Sequence, residues 1–293
     1  MKNAINYYYD LITNDIHRNG ANYYFTIDNF YYILEPFYGD INKLIKIYNH
    51  LKNNNIYILE IISNKSNDIV TIIDDKPYVL LRDYSSNRKA KLRDIINYNV
   101  YIEPNIKVYW YKLWTTKLDY YEYQMEQFEH QFPLLYESFF YYDGLTELAI
   151  SLLNQVDTKN INQFISHNRI TKNMTLRDLY NPLNLTIDTR VRDTAEYFKI
   201  KFFSKEINVS TIMDYVNYNQ LTHQEVLLFL IRMIYPSYYF DKYDDIIKGK
   251  EKEEKINIII NQVNNYEHFI KDIYNNLAKR YPLPNIEWFK KSS

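Results

Sequence analysis

Cysteine is absent from all 293 residues. That removes disulfides, thiolate nucleophiles and cysteine-based zinc sites together, and it fits folding in a reducing compartment. Glycine is nearly as scarce, with four in the chain and none in a Gly-x-Gly cluster, so no glycine-rich loop is at hand to bring backbone amides close to a phosphate. An excess of one charge is missing as well, because 35 Lys and Arg stand against 36 Asp and Glu. No global field then draws the chain to nucleic acid or to an anionic membrane. Long apolar runs are also lacking. The longest, 226–235, is interrupted by Arg232 and is too short to span a bilayer, so no membrane insertion is expected. Asp10 and Asp15 near the start, with no basic segment leading into an apolar run, give no secretory signal, and synthesis in the cytoplasm is the expectation.

What the chain has in quantity is aromatic side chains, 33 Tyr and 15 Phe. Together with abundant Asn, Ile and Lys they read as a compositional bias, so ring clusters are assigned to the core before any stacking platform for bases. A length of 293 residues suits one bilobal unit, with a small lobe at 1–83 and a larger one at 84–293.

Apolar positions at Ile5, Tyr8, Tyr9 and Ile12 predict a helix over 1–16, closed by a turn at His17 to Gly20. Residues 21–27 and 31–36 are strand-like and are split by Asp28-Asn29, a hairpin signal. Asp40 is placed to cap a helix with Leu44, Ile47, Tyr48 and Leu51 on one side, and strands follow at 56–62, 69–73 and 78–81. Residues 83–91, including Ser85 and Ser86, form the connection, and 89–99 a short helix. Beyond it, Val108, Tyr111, Trp114, Leu118, Tyr121, Met125 and Phe128 recur in steps of three and four, which argues for an amphipathic helix over 107–131 whose aromatic stripe faces the core. A second helix covers 134–156. Thr222 and Glu225 match a capping box before the apolar 226–234, which Pro236 stops. Residues 241–255 are strongly charged, with 248–255 read as a mixed-sign, solvated loop and helix start, 255–277 as a final amphipathic helix, and Trp288-Phe289 as a docked tail.

The stretch on which function turns is 164–198. A strand-like FISHNRI runs into the polar TKNMTLRDLYNPLNLT and then into IDTRVRDTAEYF. The last segment, Asp188 to Tyr197, resembles the Asp-x-x-x-Arg-Asp-x-Ala-Glu-aromatic signature of the kinase-like spore-coat family of spore-forming bacteria, the YutH and CotS type. Arg232-Met233-Ile234-Tyr235-Pro236-Ser237-Tyr238-Tyr239-Phe240 resembles a second block of that family. The family lies within the aminoglycoside phosphotransferase and choline kinase-like superfamily.

The resemblance implies an α+β, bilobal protein-kinase-like fold: a small N-terminal lobe of antiparallel sheet plus helix, and a large, mainly helical C-terminal lobe. It also implies where the chemistry of an active relative would sit. His167, Asn168 and Arg169 stand at the His-Gly-Asp catalytic loop, so a guanidinium occupies the place of the catalytic carboxylate and cannot act as general base. The catalytic-loop Asn position falls on Met174, with Asn173 adjacent. Asp188 stands where a carboxylate would hold magnesium, and Glu35 stands nearest the lysine that pairs with nucleotide phosphates, which its charge would repel.

The expectation is therefore a catalytically inactive, kinase-like binding or structural component of the spore coat, partnered by other proteins of the same assembly and using no cofactor. The alternative is an atypical phosphotransferase using ATP and magnesium held by Asp188, with Asp178, Asp188 or Asp193 as base. A second alternative is a nucleic-acid or polyanion binder, resting on Arg82, Arg88, Lys89, Lys91 and Arg93. His167 is expected as a buried imidazole bonded to backbone, and Asp193 as the cap of a helix over 194–201.

Overall fold

The structure, a computed structural model, describes residues 1–84, 87–103, 110–128, 130–157 and 161–291, with side chains to Phe289. Ser85, Ser86 and Val108 lie outside the described residues. The chain divides into two compact units. One comprises Met1–Tyr98, His167–Arg169 and Asn173–Ile187, and the other Asn99–Ser166, Ile170–Lys172 and Asp188–Ser293. The 1–83 stretch lies wholly within the first.

The first unit opens with α1 (Lys2–Tyr9), which ends where Asp10 turns left-handed, φ 56°, well short of the expected Ile16. Its sheet contains β1 (His17–Asn19), β2 (Asn22–Ile27), β3 (Phe30–Pro36), β4 (Glu60–Ile62), β5 (Thr71–Ile73) and β6 (Lys76–Asp83). The strand order is β1-β2-β3-β6-β4, with β5 beside β4 on the same edge of β6, and every pairing is antiparallel. β1 replaces most of the expected turn, since only Gly20-Ala21 reverse the chain. Asp28-Asn29 (φ 49° and 67°) and Asp74-Asp75 (φ 49° and 60°) both supply the paired positive φ angles that a two-residue hairpin requires.

Alternation along β3 and β6 sorts their side chains to two cores. Tyr32, Leu34 and Leu80 join Ile5, Tyr9 and Phe25 on one face, and Ile33, Val79 and Leu81 join Leu59 on the other. With both faces covered, the apolar runs of β3 and β6 are continuous rather than alternating with polar residues. Between β3 and β4 lies α2 (Ile41–Asn53), whose cap Asp40 accepts from the amides of Asn42 and Lys43 and whose buried residues are Leu44, Ile47 and Leu51.

A short helix α3 (Leu92–Asn97) precedes β7 (Tyr101–Ile102). The second unit is then built on α4 (Trp110–Phe128) and α5 (Pro133–Leu153). On α4 the buried stripe is Trp110, Trp114, Leu118, Tyr121 and Met125. Tyr111 is 47% exposed, so the stripe passes through Trp110 instead of the expected Tyr111. β7, β8 (Gln163–His167) and β9 (Leu185–Asp188) form a small sheet in that order, with α6 (Leu176–Leu179) between the last two. The boundary between units falls inside β8, after Ser166, and inside β9, after Ile187.

Helices α7 (Arg192–Phe203), α8 (Val209–Tyr218), α9 (His223–Ile234), α10 (Ser237–Ile247), α11 (Asn257–Ile260), α12 (Val263–Ala278) and α13 (Trp288–Lys291) complete the chain. Every residue of α9 from Val226 to Ile234 is buried, behind the expected capping box of Thr222 and Glu225. α10 begins directly after Pro236 and ends at Ile247, just before the mixed-sign run at 248–255. The final helix is broken at Asn261-Gln262, where α11 stops and α12 starts. Several tyrosines of the second unit are core material: Trp114 stacks on Tyr235 at 4.1 Å, Tyr142 on Tyr239 at 3.8 Å and Tyr121 on Phe240 at 4.5 Å.

Candidate functional site

In the first unit the residues expected at a catalytic loop are tied into local backbone. The His167 ring is buried, and its Nε2 lies 2.9 Å from the carbonyl oxygen of Leu179. Asn168 and Arg169 are exposed, and the Asn168 amide donates to the Asn184 carbonyl at 2.7 Å. Asn173 is an exposed turn residue, whereas Met174 is buried and its carbonyl accepts from the Ala90 amide. Asp178 sits in the first turn of α6, where its Oδ2 accepts from both the amide and the hydroxyl of Thr175 at 2.8 Å. That completes a reciprocal cap and commits the carboxylate to holding the helix start.

Glu35, on the same face of β3 as Ile33, is half-buried, and its Oε2 accepts from Asn181 Nδ2 at 2.9 Å. Burial raises its pKa; the Asn181 bond opposes the rise and the charge of Asp178 adds to it. Lys43 on α2 donates to the Thr186 hydroxyl at 2.6 Å. Strand β3 thus carries the acid and helix α2 the lysine.

The basic residues that motivated a polyanion surface are partly neutralised. Arg82 pairs with Glu60 at 2.6 Å, and Arg88 with Asp94 through two bonds of 2.7 Å.

In the second unit Asp188 is 5% exposed, and its carboxylate is surrounded by donors. The Trp110 indole reaches both oxygens, at 2.9 and 3.0 Å, the Thr189 amide reaches Oδ1 at 2.6 Å, and Arg192 Nη1 donates to Oδ2. Burial disfavours the Arg192 charge, but Asp188 and then Asp193 outweigh it and raise its pKa. A set of N–H donors around a carboxylate, one of them cationic, is the polarity of an anion-holding site. A divalent cation would have to displace the guanidinium and the indole. Among the described residues, no group of three His, Asp or Glu is placed to hold a metal.

Asp193 is not the cap of α7. Val191 occupies that position without a side-chain cap, and Asp193 lies buried in the first turn, where the amide dipoles favour its charge.

Below Asp188 the two sequence blocks meet. Glu196 Oε1 accepts from Lys199 Nζ at 2.9 Å and from Arg232 Nε at 2.7 Å, and its Oε2 accepts from the Ser237 hydroxyl at 2.6 Å. Lys199 also donates to the carbonyls of Arg232 and Tyr235 and to Ser237. The Arg232 guanidinium lies 5.0 Å from the ring centre of Trp110 and 5.6 Å from that of Trp114. Burial alone would raise the Glu196 carboxyl, yet the charges of Lys199 and Arg232 and the Ser237 hydroxyl hold it at about 2. One carboxylate thus serves two cations, and the ammonium is the one that yields. Burial takes Lys199 down to about 8 despite Glu196, and the Arg232 charge pushes the same way.

Trp110 and Arg192 carry the Asp188 site, and neither is a candidate from sequence. The available signals were that Trp110 is one turn before Trp114 and that Arg192 is one turn after Asp188 in the motif.

Comparison with known proteins places these observations. A family model described as "Spore coat putative kinase YutH" matches residues 2–273. No curated protein matches. Among solved structures, the aminoglycoside phosphotransferase of Alicyclobacillus acidocaldarius superposes with a TM-score of 0.65 at 10% identity, over 92% of this chain and 94% of that one. Amicoumacin kinase hAmiN, solved with AMP-PNP, Ca2+ and Ami, gives 0.55 at 12% identity, over 100% and 96%. Choline kinase LicA of Streptococcus pneumoniae gives 0.53 at 13% identity, over 92% and 97%. At such identities the likeness is one of fold.

Proposed function

The chain belongs to the spore-coat YutH family, and on that premise we propose that it is a catalytically inactive, kinase-like protein that serves as a binding or structural component of the spore coat. It is made in the cytoplasm and joins other proteins of the coat. The observation that carries this reading is the filling of the Asp188 carboxylate by Trp110, Thr189 and Arg192. Where a phosphotransferase needs a carboxylate open to magnesium, this chain has one whose acceptor positions are taken and whose counter-ion is its own arginine.

Three further features support the same reading. Arg169 stands where a base is needed and keeps its proton. Glu35 on β3 and Lys43 on α2 reverse the charges that a kinase places on those elements. No Gly-x-Gly cluster is available for the phosphates.

A phosphotransferase with Asp178 as base is disfavoured by the commitment of that carboxylate to the start of α6. Polyanion binding is disfavoured by the pairing of Arg82 and Arg88. The test is restoration of the missing acid. Arg169→Asp is expected to show no ATP turnover above a protein-free blank, because the phosphate lysine and the open metal carboxylate are still lacking. Turnover in that variant would show that the rest of the machinery is intact and that the reading is wrong.

A further inference from the structure

Residues 173–187 belong to the first unit, although 99–166, 170–172 and everything from Asp188 onward belong to the second. Backbone bonds tie the stretch down at both ends of α6. Before the helix, the Met174 carbonyl accepts from the Ala90 amide at 2.9 Å, and Thr175 bridges Lys89 as a strand residue would. The first residue of α6, Leu176, donates its amide to the Arg88 carbonyl at 2.8 Å. After the helix, the Tyr180 carbonyl accepts from the Leu59 amide at 3.0 Å. Side chains continue the attachment, through Asn181 to Glu35 on β3 and through Thr186 to Lys43 on α2. Tyr180 and Leu183 pack against the core of Ile33, Leu59, Val79 and Leu81, so the stretch supplies part of the cover over that face of the sheet.

One ion pair fastens the middle. Arg177 of α6 donates from Nε to Oδ2 of Asp83, the last residue of β6, at 2.6 Å, and the Asp83 side chain is fully shielded from solvent. The other Asp83 oxygen accepts from the Tyr57 hydroxyl at 2.9 Å. The Arg177 guanidinium lies 3.6 Å from the ring centre of Tyr31 on β3, and its backbone amide donates to Asn87 Oδ1 at 3.2 Å. Taking away one member of such a pair leaves the other without its counter-charge, which makes this the contact whose loss costs most.

We propose that residues 173–187 are a strap latched by the Asp83–Arg177 pair, and that the strap opens and closes with the sheet of the first unit as one cooperative piece. It does so independently of the second-unit helices that follow it in sequence. The strap engages Tyr31 and Glu35, so the face of β3 from which they project is covered by the chain itself.

The experiment is native-state hydrogen exchange of the full chain across a series of low urea concentrations, because residues of one cooperative piece share an opening free energy and a urea dependence. In the parent, the amides of Leu59, Ala90 and Leu176, whose bonds cross from strap to sheet or connection, are expected to share both values, and the amides of α9 to differ from them. In Asp83→Asn and in Arg177→Leu, exchange at those three amides is expected to rise together by about tenfold or more, with α9 unchanged. Strap amides that follow α9 in the parent would overturn the proposal. So would a rise confined to α6 with Leu59 and Ala90 unmoved, or unchanged exchange in both variants. The parent series decides the shared opening even where a variant fails to fold.

Discussion

Glu196 is the residue on which the second unit leans hardest, because three donors, one each from α7, α9 and α10, converge on it. Its carboxyl is held at about 2 against an ordinary value near 4.5, so the folded state keeps it ionised where the unfolded state has begun to take up a proton. The stability it contributes is therefore present above about pH 4.5 and is lost as pH falls toward 2, an effect of order 3 kcal/mol by linkage. Lys199 has the opposite sense at the alkaline end. Its folded value of about 8 lies below the ordinary 10.5, so the folded state gives up that proton first and stability rises as pH climbs from 8 toward 10.5. Urea unfolding across pH 2–10 checks both slopes. In Glu196→Gln the acid slope is expected to flatten, and stability at neutral pH to drop by about 3–5 kcal/mol, because two buried cations lose their counter-ion. Lys199→Met should lose the alkaline rise.

Two elements show how far local chemistry was legible. The start of α9 was readable from Thr222 and Glu225, since a capping box is closed by side chains three residues apart. Thr222→Ala is expected to cost about 1 kcal/mol, read as a lower urea midpoint with unchanged slope, and somewhat more if the Glu225 carboxylate also loosens its 2.5 Å pair with Arg190. The β2–β3 hairpin was readable for the same reason, Asp and Asn being residues that tolerate positive φ. β1 was not. Its three residues are all exposed, so no apolar alternation marks it, and its pairing with β2 is visible only in the register His17 to Tyr24. Nor was the break between α11 and α12, because Ile259 and Tyr266 keep a helical apolar rhythm on both sides of Asn261-Gln262. The role of Trp110 lies 78 residues from its partner, a distance at which sequence spacing carries no signal.

At the scale of the whole molecule, the two blocks read from the sequence were the reliable part. The family is the one they resemble, and the fold is that of the phosphotransferases it superposes on. Physical contact joins the two: Arg232 and Ser237 of the second bond to Glu196 of the first, so substitutions at these positions are expected to couple. What stayed hidden was the surroundings of Asp188. Asp188 in the sequence is equally compatible with an open ligand and a filled one, and only its burial against Trp110 and Arg192 separates the two.

The central claim, that the Asp188 centre no longer takes a metal nucleotide, is tested most directly by thermal unfolding of the full chain with and without saturating ATP and magnesium. A ligand that binds only the folded state at a hundred times its Kd stabilises it by about 2.7 kcal/mol, a shift of several degrees. The account predicts identical midpoints, and a saturable, magnesium-dependent rise of that size would contradict it.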